Sequence, residues 1–384
     1  MVYPACMRGW LRTDSQNIRR IHSESHFIQT SIMKINLQSN YPVLAEQDAA
    51  WPTLLHDAVD RFGAESIRLG PFGGSPSNRA LAAKWLRMPV ERTWICSAGH
   101  HGLITSLLAA NLIGKTIVVE AVTYPWFLRQ ATMLGARIIS VPLDNEGLDP
   151  QALRDLLQRE TVAAIYTMPT HHNPIGIVSP VSRRNEIVAI SREHNLIILE
   201  DAAYSFLVPD EPPRYIDLAP ERSFYVAGLS KRVVPGLRTA FLAAPESLGA
   251  QVELALRVLA SGSCSLLASL GCEMAHDGRL DATIQHKRTE GAARLIKALE
   301  ILKDFSTTAG PNSWHIWLRL PSNLTPEDTE RLCEDNGVLI TGAHWFAAPD
   351  AAVPQAVRLA LGGETDWSRV SEGLKIFTHL LHNH

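Results

Sequence analysis

The chemistry-bearing residues of this sequence gather where apolar runs end. The run Phe224-Tyr225-Val226 opens into AGLSKRVVPGLR (227–238), which sets Ser230, Lys231 and Arg232 at the mouth of a core and brings in Arg238 after Pro235-Gly236. Two readings compete: a strand emerging into solvent among ordinary cations, or an amine held ready for a carbonyl. Lysine suits the second because a desolvated amine has a lowered pKa and an available lone pair. The run LIIL closes on Glu200-Asp201, ahead of Ala202-Ala203-Tyr204. Carboxylates closing an apolar strand are costly unless they meet a cation. A surface aspartate is often a solvated cap, but its place just beyond LIIL argues for burial.

Three further run ends carry suggestive groups. Ala98-Gly99-His100-His101-Gly102 is a small-residue turn entering a helix, where free backbone N–H groups and the helix dipole make a phosphate cup. Tyr124, within Thr123-Tyr124-Pro125, offers a ring on which a flat ligand can stack, and Asn173, within HHNPIG, offers an amide donor fixed by a turn. Each has a plain structural alternative: a glycine turn, a packed tyrosine, a simple loop. Their joint occurrence in this order is the stronger signal.

Positioning such groups requires a frame. From about residue 80 short apolar runs alternate with amphipathic stretches, the pattern of β-α-β units and a largely parallel sheet. Strands are expected at 93–97, 116–120, 137–143, 162–168, 195–201, 222–227 and 239–244. Helices are expected at 125–135, 150–159 and 180–194, each with proline in its first turn. The tail mixes a helical 280–303 with strands at 314–320, 338–342 and 356–362, a helix at 325–336 and a last helix from Glu364. The fold class expected is α/β: a large domain, 61–279, with a mostly parallel seven-stranded sheet flanked by helices, beside a smaller α+β domain from 33–60 and 280–384. In open sheets of this kind ligands bind beyond the carboxyl ends of the strands, where the residues above lie. Residues 1–32, polar and irregular, are expected to be an arm or an over-early start, with Met33 as the alternative start.

Composition narrows the functions. A chain of 384 residues exceeds one typical core, and 46% apolar with 20% charged residues is ordinary for a soluble globular protein. A net charge of −3 and the lack of a basic run give nucleic acid and membrane surfaces nothing to hold. No apolar stretch is long enough to span a bilayer, and the N-terminus has no signal-peptide pattern. Five cysteines without C-x-x-C pairing argue against a disulfide framework or zinc site and fit a cytoplasmic protein.

The strings GPFGGSPSNRALAAKWL, EAVTYPWF, NPIG, ILEDAAYSFL, GLSKRVVPGLR and VRLALGG occur in an order that resembles fold-type I pyridoxal-phosphate enzymes. The likeness covers roughly residues 35–380 and is to class I/II aminotransferases, nearest the aminotransferase domain of MocR-type regulators and the 2-aminoadipate aminotransferase group. The resemblance implies that Lys231 forms a Schiff base with pyridoxal 5'-phosphate and later acts as base for a 1,3-proton shift. It implies that Asp201 pairs with the pyridine nitrogen, that Asn173 and Tyr204 bond the ring's 3-oxygen, and that Tyr124 stacks on the ring. Ser230, Arg238 and the Ala98-Gly99-His100 backbone would hold the phosphate. Arg358, otherwise an unpaired charge among apolar neighbours, would take the substrate carboxylate, with Asn173 beside it. The activity implied is transamination between an α-amino acid and a 2-oxo acid, in a homodimer with sites at its interface.

The sequence departs from the family pattern in three places. Gly228 stands where a Ser or Thr hydroxyl is usual, Leu69 where a tyrosine reaches the partner's phosphate, and Asn312-Ser313 where a Gly-Gly pair precedes a late strand. The departures at Leu69 and Gly228 are the main support for an alternative reading, a pyridoxal-phosphate enzyme of specialised metabolism performing elimination, decarboxylation or oxidase-type chemistry. A DNA-binding regulator is not expected, since few residues precede the domain and the charge is not basic. Arg129 and Arg257 are candidate contacts for a dicarboxylate substrate; His171, His172 and Arg232 carry no assigned role.

Overall fold

The computed structural model describes residues 34–383; the expectations for residues 1–32 and for Met33 lie outside them. The central sheet has seven strands: β1 (Thr93–Cys96), β2 (Thr116–Glu120), β3 (Arg137–Val141), β4 (Ala164–Thr167), β5 (Ile197–Asp201), β6 (Ser223–Gly228) and β7 (Ala240–Ala243). Their spatial order is β1-β7-β6-β5-β4-β2-β3. Only β7 runs against its neighbours, so the other six present their carboxyl ends along one edge.

The strand runs read as continuously apolar because both faces are covered. Alternate residues go to opposite sides: Ile117, Val119, Tyr166 and Leu199 join one buried cluster, while Val118, Ile165 and Ile198 join another. The expected strands are found, with ends moved by a residue or two. The largest consequence is that β6 extends to Gly228, which pairs with Ala240.

A second, antiparallel sheet joins β8 (Thr307–Thr308), β9 (His315–Arg319), β10 (Thr341–Gly342) and β11 (Ala356–Ala360) in the order β8-β9-β11-β10. The single strand expected at 338–342 is divided. Val338–Leu339 pairs with Ile35–Asn36, whereas β10 pairs with β11. Ile35 and Leu37 share a core with Val357 and Phe377, but Leu44 and Ala58 pack into the large cluster. We therefore propose a small-domain boundary before Leu44 rather than at residue 60. The helix Arg279–Ile301 links the two cores, contributing Leu280 and Ile284 to one and Ala298 to the other. Among the described residues no helix is long and apolar enough to cross a membrane.

Candidate active site

Beyond the carboxyl edge lies a cavity walled by the turns that leave five of the strands. Ala98, Gly99 and His100 follow β1, Tyr124 follows β2 and Asn173 follows β4. Asp201 closes β5 with Tyr204 just beyond, and Ser230, Lys231 and Arg238 follow β6. Tyr41, Leu103, Met168, Ala203 and Gly228 complete the lining. The residues singled out at strand ends thus converge on one space, and Arg358 adjoins it through Asn173.

Lys231 sits in the four-residue turn α1 (Leu229–Arg232), which can form because β6 ends on Gly228 with ordinary extended angles. Its Nζ donates to the Asn40 carbonyl at 2.8 Å and lies 3.1 Å from the centroid of the Tyr41 ring. Burial holds its pKa well below the usual lysine value, and the positive charges of Arg358 and Lys287 act in the same direction against Asp201. The charged form of Lys231 is thus disfavoured relative to that of an ordinary lysine.

Asp201 is buried at the end of β5. The expected cation is not its direct partner: Oδ2 accepts from the Tyr166 hydroxyl at 3.0 Å and Oδ1 from the Ala203 amide at 3.0 Å. Tyr166 is itself fixed by stacking on Phe127 at 3.6 Å. Burial pushes the Asp201 pKa up to about 6 against the pull of those bonds and of Arg232. Glu200, on the other face of the strand, takes the Tyr215 amide and lies 3.9 Å from Arg184.

The remaining polar groups sort by what they leave unsatisfied. Tyr204 Oη donates to the Asn40 carbonyl at 2.9 Å, and Tyr124 Oη lies 2.7 Å from His100 Nε2. Arg358, only 8% exposed, donates to Asn173 Oδ1 at 2.9 Å, to the Gln38 carbonyl at 2.7 Å and to Thr341 Oγ1 at 3.4 Å. Its guanidinium also lies over Phe346. None of these partners carries a negative charge, so a carboxylate entering the cavity would find the cation uncompensated. Ser230 Oγ is buried with no partner among the described residues. Arg238 ends the turn Pro235–Leu237 at φ +43° and joins the cavity lining from there.

This arrangement fits a phosphorylated, electron-poor ring. The orphaned Ser230 hydroxyl and Arg238 sit near the place where Gly99 and Gly228 come together. A Cβ on Gly228 would lie 3.6 Å from the Gly99 backbone. The departures take definite forms. Leu69 is 77% exposed, Asn312 donates to the Leu207 carbonyl, and Ser313 bonds the His315 carbonyl. Arg129 stacks on Trp126 and Trp345, and Arg257 on Phe72, away from the cavity lining. His171 and His172 are buried and held neutral, their pKa values pushed down to about 4 and about 3 by burial.

The family model for aminotransferase class I and II matches residues 32–370. The chain belongs to the class I and II aminotransferases. They are pyridoxal-phosphate enzymes of fold type I, so the fold class and cofactor expected from the sequence stand. Within the class the chain is similar to an uncharacterized HTH-type transcriptional regulator of Bacillus subtilis, 25% identical over 292 residues, and spans 63% of that protein's length for 76% of its own. It is also similar to a 2-aminoadipate transaminase of Thermus thermophilus, 28% identical over 304 residues, covering 74% of this chain and 75% of that one. Among solved structures, an archaeal alanine:glyoxylate aminotransferase shares the fold at a TM-score of 0.85 and 22% identity, over 97% of this chain and 96% of the other.

Sequence reasoning did not anticipate the contacts that reach the site from distant segments. Asn40 and Tyr41 surround Lys231 Nζ, Tyr166 holds Asp201, and Lys287 touches the Lys231 turn. The loop 38–42 is expected among those that build the side-chain pocket, but no periodicity says that it reaches Lys231 Nζ.

Proposed function

We propose that this chain is a transaminase moving an amino group between an α-amino acid and a 2-oxo acid, with Lys231 the amine that bonds the cofactor aldehyde. The observation that supports it best is a half-buried lysine, its pKa depressed, sharing one cavity with a buried Asp201. Ser230, Arg238 and the Ala98-Gly99-His100 backbone would hold the phosphate. Asp201 would pair with the ring nitrogen, Asn173 and Tyr204 with the 3-oxygen, and Tyr124 with the ring face. Bound there, pyridoxal phosphate supplies the electron sink that makes a substrate Cα–H acidic. Lys231, its charged form disfavoured, would take that proton and return it, and Arg358 would orient the Cα–H by gripping the substrate carboxylate. We further propose a cytoplasmic homodimer. The exposed apolar side chains of Ile67 (87%), Leu69 (77%), Leu254 (61%) and Val258 (71%) would be its contact surface.

The test is to load the purified protein with pyridoxal phosphate and offer a panel of amino acids in single turnover. Transamination releases the 2-oxo acid and leaves the aminated cofactor in equal amount. Release of ammonia, carbon dioxide or peroxide instead would favour the elimination, decarboxylation or oxidase reading, to which the missing hydroxyl at Gly228 lends support.

Two variants probe the two ends of the site. Arg358→Gln is expected to lower kcat/KM by about 2–4 kcal/mol, roughly 30- to 700-fold, mainly through KM, because a charged pair is lost while the cofactor contacts remain. Unchanged KM in steady-state assays would move the carboxylate site elsewhere. Gly228→Ser should tighten cofactor binding by about 1–2 kcal/mol, since its Cβ meets only ordinary contacts and its φ of −71° suits any residue. Equilibrium dialysis showing equal or weaker binding would place the phosphate away from this turn.

A further inference from the structure

Two buried cations outside the cavity have no carboxylate within salt-bridge distance among the described residues. Arg232, 1% exposed, donates from Nη1 to the Gly228 carbonyl at 2.9 Å. Its Nη2 donates to the Ala202 carbonyl and to Ser205 Oγ, both at 2.8 Å. Its guanidinium lies near the Trp85 and Phe206 rings. Lys287, 0% exposed on the helix Arg279–Ile301, donates to the Lys231 carbonyl at 3.0 Å and to the Val233 carbonyl.

Burying a basic group out of reach of a carboxylate is costly, and burial pulls the Lys287 pKa down to about 7; a methionine of similar volume would avoid that cost. Folding stability alone therefore does not account for either residue. What they bond does: apart from Ser205 Oγ, their acceptors are main-chain oxygens of the segments carrying the two central groups of the site. Ala202 directly follows Asp201, and its neighbour Ala203 donates to Asp201 Oδ1. Gly228, Lys231 and Val233 bracket the turn that carries the lysine.

We propose that Arg232 and Lys287 are positioning residues, Arg232 tying the Asp201 turn to the end of β6 and Lys287 pinning the far side of the Lys231 turn. The proposal rests on the transaminase reading, because it concerns how Lys231 and Asp201 are set relative to one bound ring. Proton transfer demands close registration of these two groups, and a displacement of about 1 Å costs roughly 10²-fold in rate.

The experiment uses the full chain loaded with pyridoxal phosphate, comparing wild type with Arg232→Met, Lys287→Met and Arg232→Lys. Each methionine variant is expected to lose roughly 10- to 100-fold in kcat, with KM for the amino acid within about twofold because Arg358 is untouched. The circular dichroism of the cofactor absorption band should weaken in parallel, and Arg232→Lys should recover part of both losses. Wild-type kcat and cofactor dichroism alongside a lowered Tm would overturn the proposal, leaving only a structural role. Should the methionine variants fail to fold, Arg232→Lys and Ser205→Ala decide it by the same readouts: reduced kcat at unchanged KM supports positioning, and unchanged kcat refutes it. A wild type that binds the cofactor but releases no oxo acid would refute the transaminase reading instead, and the dichroism comparison would still report on the two cations.

Discussion

Lys231→Ala is expected to fold, to bind pyridoxal phosphate reversibly, and to lose turnover by at least roughly 10³-fold, in the upper part of the range seen when a positioned proton-transfer group is removed. The loss should fall on kcat, because Arg358 is untouched and still takes the substrate carboxylate. Stability should hold or rise. The amine is buried where its charged form is disfavoured, and the Asn40 carbonyl it serves also accepts from Tyr204 Oη. The decisive readout is separate from activity. Borohydride treatment followed by denaturation and mass spectrometry should leave the cofactor mass on the wild type, on the peptide containing Lys231, and none on the variant. A cofactor adduct at Lys287, the fully buried lysine beside this turn, would show that the wrong amine had been assigned. Retained turnover in the alanine variant would sink the proposed role of Lys231 outright.

The strand-end residues were legible in the sequence for a physical reason. Strands buried on both faces are read as unbroken apolar runs, so the polar residue that ends each run marks the sheet's carboxyl edge. Gly99, Tyr124, Asn173, Asp201 and Lys231 were each found this way, and the cavity contains all of them. Whatever depends on long-range closure was not legible. Asn40 reaches Lys231, and Lys287 reaches the same turn from the linking helix, through contacts that no local pattern encodes. Asp201 illustrates the limit well. Its burial followed from the apolar run before it, but the partners that hold it within the chain, the Tyr166 hydroxyl and the Ala203 amide, did not. Tyr166 one strand away does the work. The division of 338–342 between two sheets has the same origin, since only the position of Ile35–Asn36 gives Val338–Leu339 its partner.

Asp201→Asn should be the other variant of large effect, and its signature is a pH dependence of definite sign. In the cofactor-free protein burial raises the Asp201 pKa from 3.8 to about 6. The folded chain then binds more protons than the unfolded chain between those values. Stability from this residue is therefore full below about pH 4 and is lost as pH rises through about 6, a change of about 3 kcal/mol at most. Cofactor binding reverses the sign. Pairing with a protonated ring nitrogen requires the carboxylate, so affinity for pyridoxal phosphate should climb as pH rises through about 6 and level off above it. Glu200, pushed up to about 7 by burial, titrates nearby but faces Arg184 and Tyr215. Lys231 and His100 are both held low, chiefly by burial. All three are common to wild type and variant, so the difference between the two chains isolates Asp201. Thermal unfolding with and without cofactor, from pH 5 to 8, should show a cofactor-induced Tm shift that grows with pH in the wild type and stays small and flat in Asp201→Asn. Turnover of the variant should fall roughly 10²- to 10³-fold, the scale for losing one preorganised charge at the reacting group. A cofactor-induced shift equal at pH 5 and pH 8, or one that survives in the variant, would mean that the ring nitrogen does not face Asp201. Lys231 would then remain an anchor without the partner that gives the cofactor its acidity-raising pull.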